Sequence, residues 1–198
     1  MLVWINGPFG GGKTQVAFEI RRRLAGSVVC DPEQVGYGLH RTMPRQLRRD
    51  FQDFPAWRQG VYEVLDRVLA EYDGVVLAPM TVVEPDYFAE TVGRLRESGH
   101  DVRHFALLAR HDTIRERVRR RGVYGLVADD FALGKLDRCL DQLRRSEFAE
   151  HVWTDDIDIP AVAERIADSA GLPLSGRRDR PLLDRLRRTW VSLTHARR

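Results

Sequence analysis

Eight consecutive residues, Gly7-Pro8-Phe9-Gly10-Gly11-Gly12-Lys13-Thr14, fit the spacing G-x-x-x-x-G-K-[ST], and each fixed position has a task in holding phosphate. Glycines let the backbone curl around an anion with its N–H groups turned inward, lysine reaches the β- and γ-phosphates, and the Thr hydroxyl takes a Mg²⁺ position. In a chain of this length the four fixed positions would arise by accident on the order of once in a hundred times. The lysine carries a second signal. Basic side chains here are almost all Arg, and Lys13 and Lys135 are the two exceptions, which keeps a compact ammonium where phosphate is to be met. The expected ligand is ATP with Mg²⁺, bound by Gly7, Phe9, Gly10, Gly11, Gly12, Lys13 and Thr14, with Thr14 on the metal.

Other residues could complete a phosphoryl-transfer site. Asp31 ends an apolar run, Val28-Val29-Cys30, and a carboxylate at the C-terminal end of a strand beside the P-loop strand faces the crevice where open α/β sheets bind ligand. It is the candidate general base; the competing role is to cap the helix that Pro32 opens. A P-loop enzyme commonly has an Asp at the end of a further strand to hold the metal's shell, and here Val75-Val76-Leu77-Ala78-Pro79 leads into Met80-Thr81 instead. Thr81 is accordingly a candidate for substrate or water-mediated metal contact. Arg115, Arg117, Arg119, Arg120 and Arg121 crowd one short helix, and like charges so close repel unless an anion lies against them. Arg117, Arg119 and Arg121 are the candidates to neutralise the transferring phosphoryl group together with Lys13. The glycine-bearing stretch that follows, and the helix carrying Lys135 and Arg138, read as a lid over about 119–131. Trp57 and Arg58, at the start of a helix opened by Pro55, are candidates for substrate contact.

The elements that must position these residues alternate strand and helix. Strands are expected at Leu2–Ile5, Ser27–Asp31, Val75–Pro79, Val102–Leu108 and His151–Asp155. Helices are expected at Lys13–Leu24, from Pro55 to about Tyr72, and at Pro85–Ser98, His111–Arg121, Phe131–Arg145 and Pro160–Ala170. Glu33–Asp53 reads as irregular, broken by Gly36, Gly38 and Pro44, and suits a substrate-covering segment. Repeated β-α alternation argues for a five-stranded parallel sheet with helices on both faces, in a P-loop kinase-like domain spanning 1–175.

Composition narrows the class. A chain of 198 residues, 43% hydrophobic and 31% charged, is a globular protein large enough for one core. No run approaches the length of a membrane span, and the N-terminus enters a strand directly without a signal-peptide pattern. Cys30 and Cys139 lie outside any metal-ligand spacing and read as reduced thiols of a cytoplasmic protein; the six histidines show no zinc spacing. The net charge of +3 divides unevenly: residues 176–198 carry eight Arg against two Asp, leaving the first 175 residues at −3. A body of that sign offers no nucleic-acid face. In the tail, Leu182, Leu183, Leu186, Trp190 and Leu193 recur at helical spacing opposite Arg185, Arg187 and Arg188, a basic amphipathic helix that packs back on the body or lies on the inner face of the membrane as a peripheral contact. Oligomeric state, a homodimer included, stays open.

On these residues the chain resembles the tunicamycin resistance protein family, P-loop proteins related to the nucleoside-monophosphate, shikimate and chloramphenicol kinases. The resemblance runs through Trp4-Ile5-Asn6-Gly7, Phe9-Gly10, Gly12-Lys13-Thr14-Gln15, Asp31-Pro32-Glu33, Asp53-Phe54-Pro55 with Trp57-Arg58, Pro79-Met80-Thr81, Gly93-Arg94-Leu95-Arg96, Asp137-Arg138-Cys139 and Thr154-Asp155. It implies an ATP-binding protein that protects against uridine nucleoside antibiotics, with Arg138, Thr154 and Asp155 added to the nucleotide contacts. Two mechanisms fit that implication: phosphorylation of an antibiotic hydroxyl, or sequestration of the drug without chemistry.

Overall fold

The computed structural model describes residues 1–122 and 134–175, with side chains through 119 and again from 134. Five strands, β1 (Leu2–Asn6), β2 (Ser27–Val29), β3 (Val75–Pro79), β4 (Val102–Leu108) and β5 (His151–Trp153), form one parallel sheet in the order β2-β3-β1-β4-β5. The described helices are α1 (Lys13–Arg23), α2 (Glu33–Thr42), α3 (Pro55–Glu71), α4 (Pro85–Phe88), α5 (Arg94–Glu97), α6 (His111–Gly122), α7 (Leu136–Leu143) and α8 (Ile159–Ala170). A π-helical segment, Ala89–Gly93, joins α4 to α5.

Alternation along β1 divides the core into two layers, as the pleat requires. Leu2 and Trp4 pack with Trp57, Val61 and Leu65 of α3 and with Cys139 and Leu143 of α7. Val3 and Ile5 point the other way, onto Val16, Ala17 and Ile20 of α1 and Val162, Ala163 and Ile166 of α8. The expected α/β sheet with helices on both faces is therefore what the chain forms.

Two expectations are corrected. β2 does not lie beside the P-loop strand, because β3 is inserted between them. The reason is burial: β3 is apolar and almost wholly covered, whereas β2 has three half-buried residues and suits a short edge strand. Nor do Gly36 and Gly38 interrupt the segment after Asp31, since α2 runs through both. A Cβ at Gly36 would collide with the Phe51 ring, while Gly38 has open space; the first glycine serves close packing and the second stands on the outer face. Residues 123–133, which hold most of the expected lid, and the basic tail at 176–198 lie outside the described residues. Among the described residues no helix is long and apolar enough to cross a membrane.

Candidate active site

The phosphate loop is assembled by neighbours that leave no room for side chains. Gly10 and Gly12 take left-handed backbone conformations, with φ of 77° and 92°. A Cβ at Gly10 would sit 2.8 Å from Val118 of α6, one at Gly11 would sit 2.9 Å from the Pro8 carbonyl, and one at Gly12 would sit 3.1 Å from Ile159 of α8. Helix α1 begins at once after Gly12 with no side-chain cap, so its first-turn N–H groups and its dipole are turned to the loop. Lys13 bridges that loop, donating from Nζ to the Pro8 carbonyl at 3.1 Å. These groups fit a polyphosphate, and the Thr14 hydroxyl, on the first turn of α1, fits a hard cation held with it.

Asp31 is near enough to Lys13 for their charges to interact, although it does not line the neighbouring cavity. Burial and the Glu33 charge push its carboxyl up to about 7, against the opposing effects of the Glu33 N–H and Lys13. Asp31 Oδ1 also accepts the Glu33 N–H at 3.0 Å, at the first residue of α2, although Pro32 stands at the cap position. Trp57 supports this turn from behind: its ring is fully buried and Nε1 donates to the Pro32 carbonyl at 3.1 Å. It is thus a core residue that fixes the backbone next to Asp31, not a surface for stacking substrate. Arg58 is buried too, donating to the Gln52 carbonyl at 2.6 Å, pairing with Glu90 at 2.7 Å and stacking on Tyr87. It braces a wall and does not line the cavity itself.

That cavity, of about 530 Å³, opens between the phosphate loop, the segment 50–53, the segment 81–87 and the start of α7. Of the expected site residues, Phe9, Thr81 and Arg138 line it. The Thr81 hydroxyl donates to the Gly7 carbonyl at 2.7 Å, so the residue standing where a carboxylate was sought secures the loop. Two ion pairs span the cavity, Lys135 to Asp50 at 2.8 Å and Arg138 to Glu84 at 2.7 Å. Arg138 therefore stands on the cavity wall, paired with Glu84. Burial lifts the Cys139 thiol to about 11, which makes it a neutral wall residue.

On the other side of the loop, Arg117 donates to the Thr154 hydroxyl at 3.0 Å and to the Thr154 carbonyl at 2.6 Å. Asp155 accepts from the Arg110 N–H at 2.9 Å and from the Thr113 hydroxyl at 2.7 Å. Burial opposes its charge, but those bonds and the Arg110 and Arg117 charges hold the carboxyl below the usual range. Thr154 and Asp155 thereby fasten the end of β5 to the start of α6. Beside them Arg110, Trp153, Asp155, Asp156 and Ile157 line a second recess. Arg119 is exposed, and the Arg121 side chain lies outside the described ones.

Reading the sequence missed Asn6, His104, Asp50 and Glu84. Asn6 had a visible signal, a lone amide at the end of an apolar strand directly before Gly7. The partners of Lys135 and Arg138 had none, because pairs 85 and 54 residues apart leave no local trace.

Fold and site define a P-loop protein with a kinase-like fold, and residues 2–146 match the AAA domain family. The tunicamycin resistance protein of Deinococcus radiodurans is 30% identical and superposes with a TM-score of 0.75, the match covering 89% of this chain and 99% of that one. The chain belongs to the tunicamycin resistance protein family. A sugar kinase from Janibacter sp. HTCC2649 (16% identity, TM-score 0.64, covering 89% and 98%) and the shikimate kinase of Bacteroides thetaiotaomicron (17%, 0.58, covering 87% and 99%) share the fold. No curated protein matches the chain.

Proposed function

We propose that the chain is an ATP-dependent phosphotransferase that modifies a hydroxyl of a uridine nucleoside antibiotic such as tunicamycin. The observation that carries this reading is the glycine-built phosphate loop, bridged by Lys13 to the Pro8 carbonyl, which walls through Pro8 and Phe9 a cavity large enough for a small-molecule acceptor. Kinship with the Deinococcus protein supports the acceptor class.

In the reaction the acceptor oxygen attacks the γ-phosphorus of ATP, the bond to the β–γ bridging oxygen breaks, and ADP leaves. Asp31 takes the hydroxyl proton or orients the hydroxyl. Lys13 and the loop N–H groups hold the phosphates and stabilise charge that develops on them. Thr14 would hold Mg²⁺, which supplies further neutralisation of the β- and γ-phosphates when bound. Arg117 anchors α6 through Thr154. Arg138 closes the acceptor side through Glu84.

The test is ADP release that depends on acceptor, measured with purified protein, ATP, Mg²⁺ and tunicamycin. Wild type is expected to turn over, and Asp31→Ala to lose turnover while nucleotide binding persists. Equal loss of both would remove Asp31 from the role of base. Tight drug binding without ADP release would make the protein a sequestering one.

A further inference from the structure

Asn6, the last residue of β1, is fully buried and uses every hydrogen-bonding capacity of its side chain. Its Oδ1 accepts the Gly7 N–H at 2.8 Å and the Val82 N–H at 3.0 Å. Its Nδ2 donates to the Val82 carbonyl at 2.7 Å and lies 3.2 Å from His104 Nε2. The partners fix which end of the amide is which, because the first two can only donate and a carbonyl can only accept. They also fix the His104 tautomer. His104 Nδ1 lies 3.1 Å from the Ala149 carbonyl and must carry the hydrogen, leaving Nε2 to accept from Asn6. Burial drives the His104 pKa down to about 4, which keeps this arrangement at neutral pH.

The two things Asn6 ties together are the two halves of the site. Gly7 opens the phosphate loop, and its carbonyl is taken by the Thr81 hydroxyl, so both of its peptide groups are pinned. Val82 lies in the segment whose Thr81, Val83 and Glu84 line the cavity. We propose that Asn6 is a positioning residue that sets the phosphate loop against the acceptor wall, with His104 holding its amide in the working orientation. The kinetic consequence rests on the phosphotransferase reading; the geometric one does not.

The test compares wild type with Asn6→Ser and His104→Phe. The second keeps a ring against Phe88, 4.8 Å from His104 between centroids, and removes the acceptor for Asn6 together with the donor to the Ala149 carbonyl. With tunicamycin, Asn6→Ser is expected to lower kcat about a hundredfold, the cost of a misplacement near 1 Å. KM for ATP and for drug should stay within about threefold, and His104→Phe should fall between the two proteins. A loss confined to KM, or a folded variant with wild-type kcat, would overturn the proposal. Amide hydrogen exchange at Gly7 and Val82, read with a nonhydrolysable ATP analogue bound, needs no turnover. Exchange about tenfold faster in the variants is expected, and unchanged exchange would overturn the proposal even if wild type transfers nothing to tunicamycin, which would refute the functional reading instead. If Asn6→Ser does not fold, His104→Phe decides by the same readouts.

Discussion

Asp31 holds its proton closer to neutrality than a surface aspartate, because burial and the Glu33 charge outweigh the Glu33 N–H and Lys13. In the proposed role of base, a carboxyl with that pKa is matched to neutral conditions. The kcat/KM for acceptor should therefore rise with pH along a limb centred near 7, and Asp31→Asn should lower turnover about 10²–10⁴-fold and abolish the limb. The same shift has a stability consequence. Between pH 4 and 7 the unfolded chain has released this proton while the native one keeps it, so the contribution is present below about 4 and is lost as pH rises through about 7. Asp31→Asn should thus stabilise the ligand-free protein at pH 8.5 by about 1 kcal/mol, roughly 2–4 °C in melting temperature, and leave it unchanged at pH 4. An equal gain at both values would show that the shift is not the cause. The P-loop was readable in the sequence since its chemistry depends on local spacing, whereas the place of Asp31 was not, because its strand is separated from β1 by β3. Trp57 was not, because an aromatic beside Arg58 looks the same whether it faces substrate or, as here, the Pro32 carbonyl.

Helix α6 is where element packing and site geometry coincide. Its Ile114 and Val118 side chains lie against Gly10, and Arg117 fastens it to Thr154 by two bonds. Arg117→Ala should cost about 2 kcal/mol, typical of hydrogen bonds from a charged donor, seen as roughly 4–8 °C in thermal unfolding. It should also weaken nucleotide binding, because the floor beneath Gly10 is released. A variant that binds nucleotide normally with an unchanged melting temperature would mean that the clamp carries no load. The existence of α6 followed from its composition, but its partner did not, as 37 residues separate Arg117 from Thr154. Helix α2 was misread for a related reason. Gly36 lowers helix propensity locally, and the contact with Phe51 that requires it is visible only once the chain is folded.

Over the whole molecule, strand and helix order were legible because hydrophobic period and punctuation are local, whereas strand position was not: nothing in Ser27–Val29 says that β3 will separate it from β1. Charge divides between a body at −3 and a tail at +6 over residues 176–198. A chain ending at residue 175 should keep turnover on a soluble acceptor within about twofold and unfold cooperatively; loss of the cooperative transition would place the tail in the core. The central claim, that this protein transfers phosphate to a nucleoside antibiotic, is met most directly by mass spectrometry of tunicamycin after incubation with protein, ATP and Mg²⁺. A gain of about 80 Da, the mass of one transferred phosphoryl group, that disappears with Lys13→Ala is the result expected. Drug of unchanged mass beside a protein that binds both drug and ATP would contradict it.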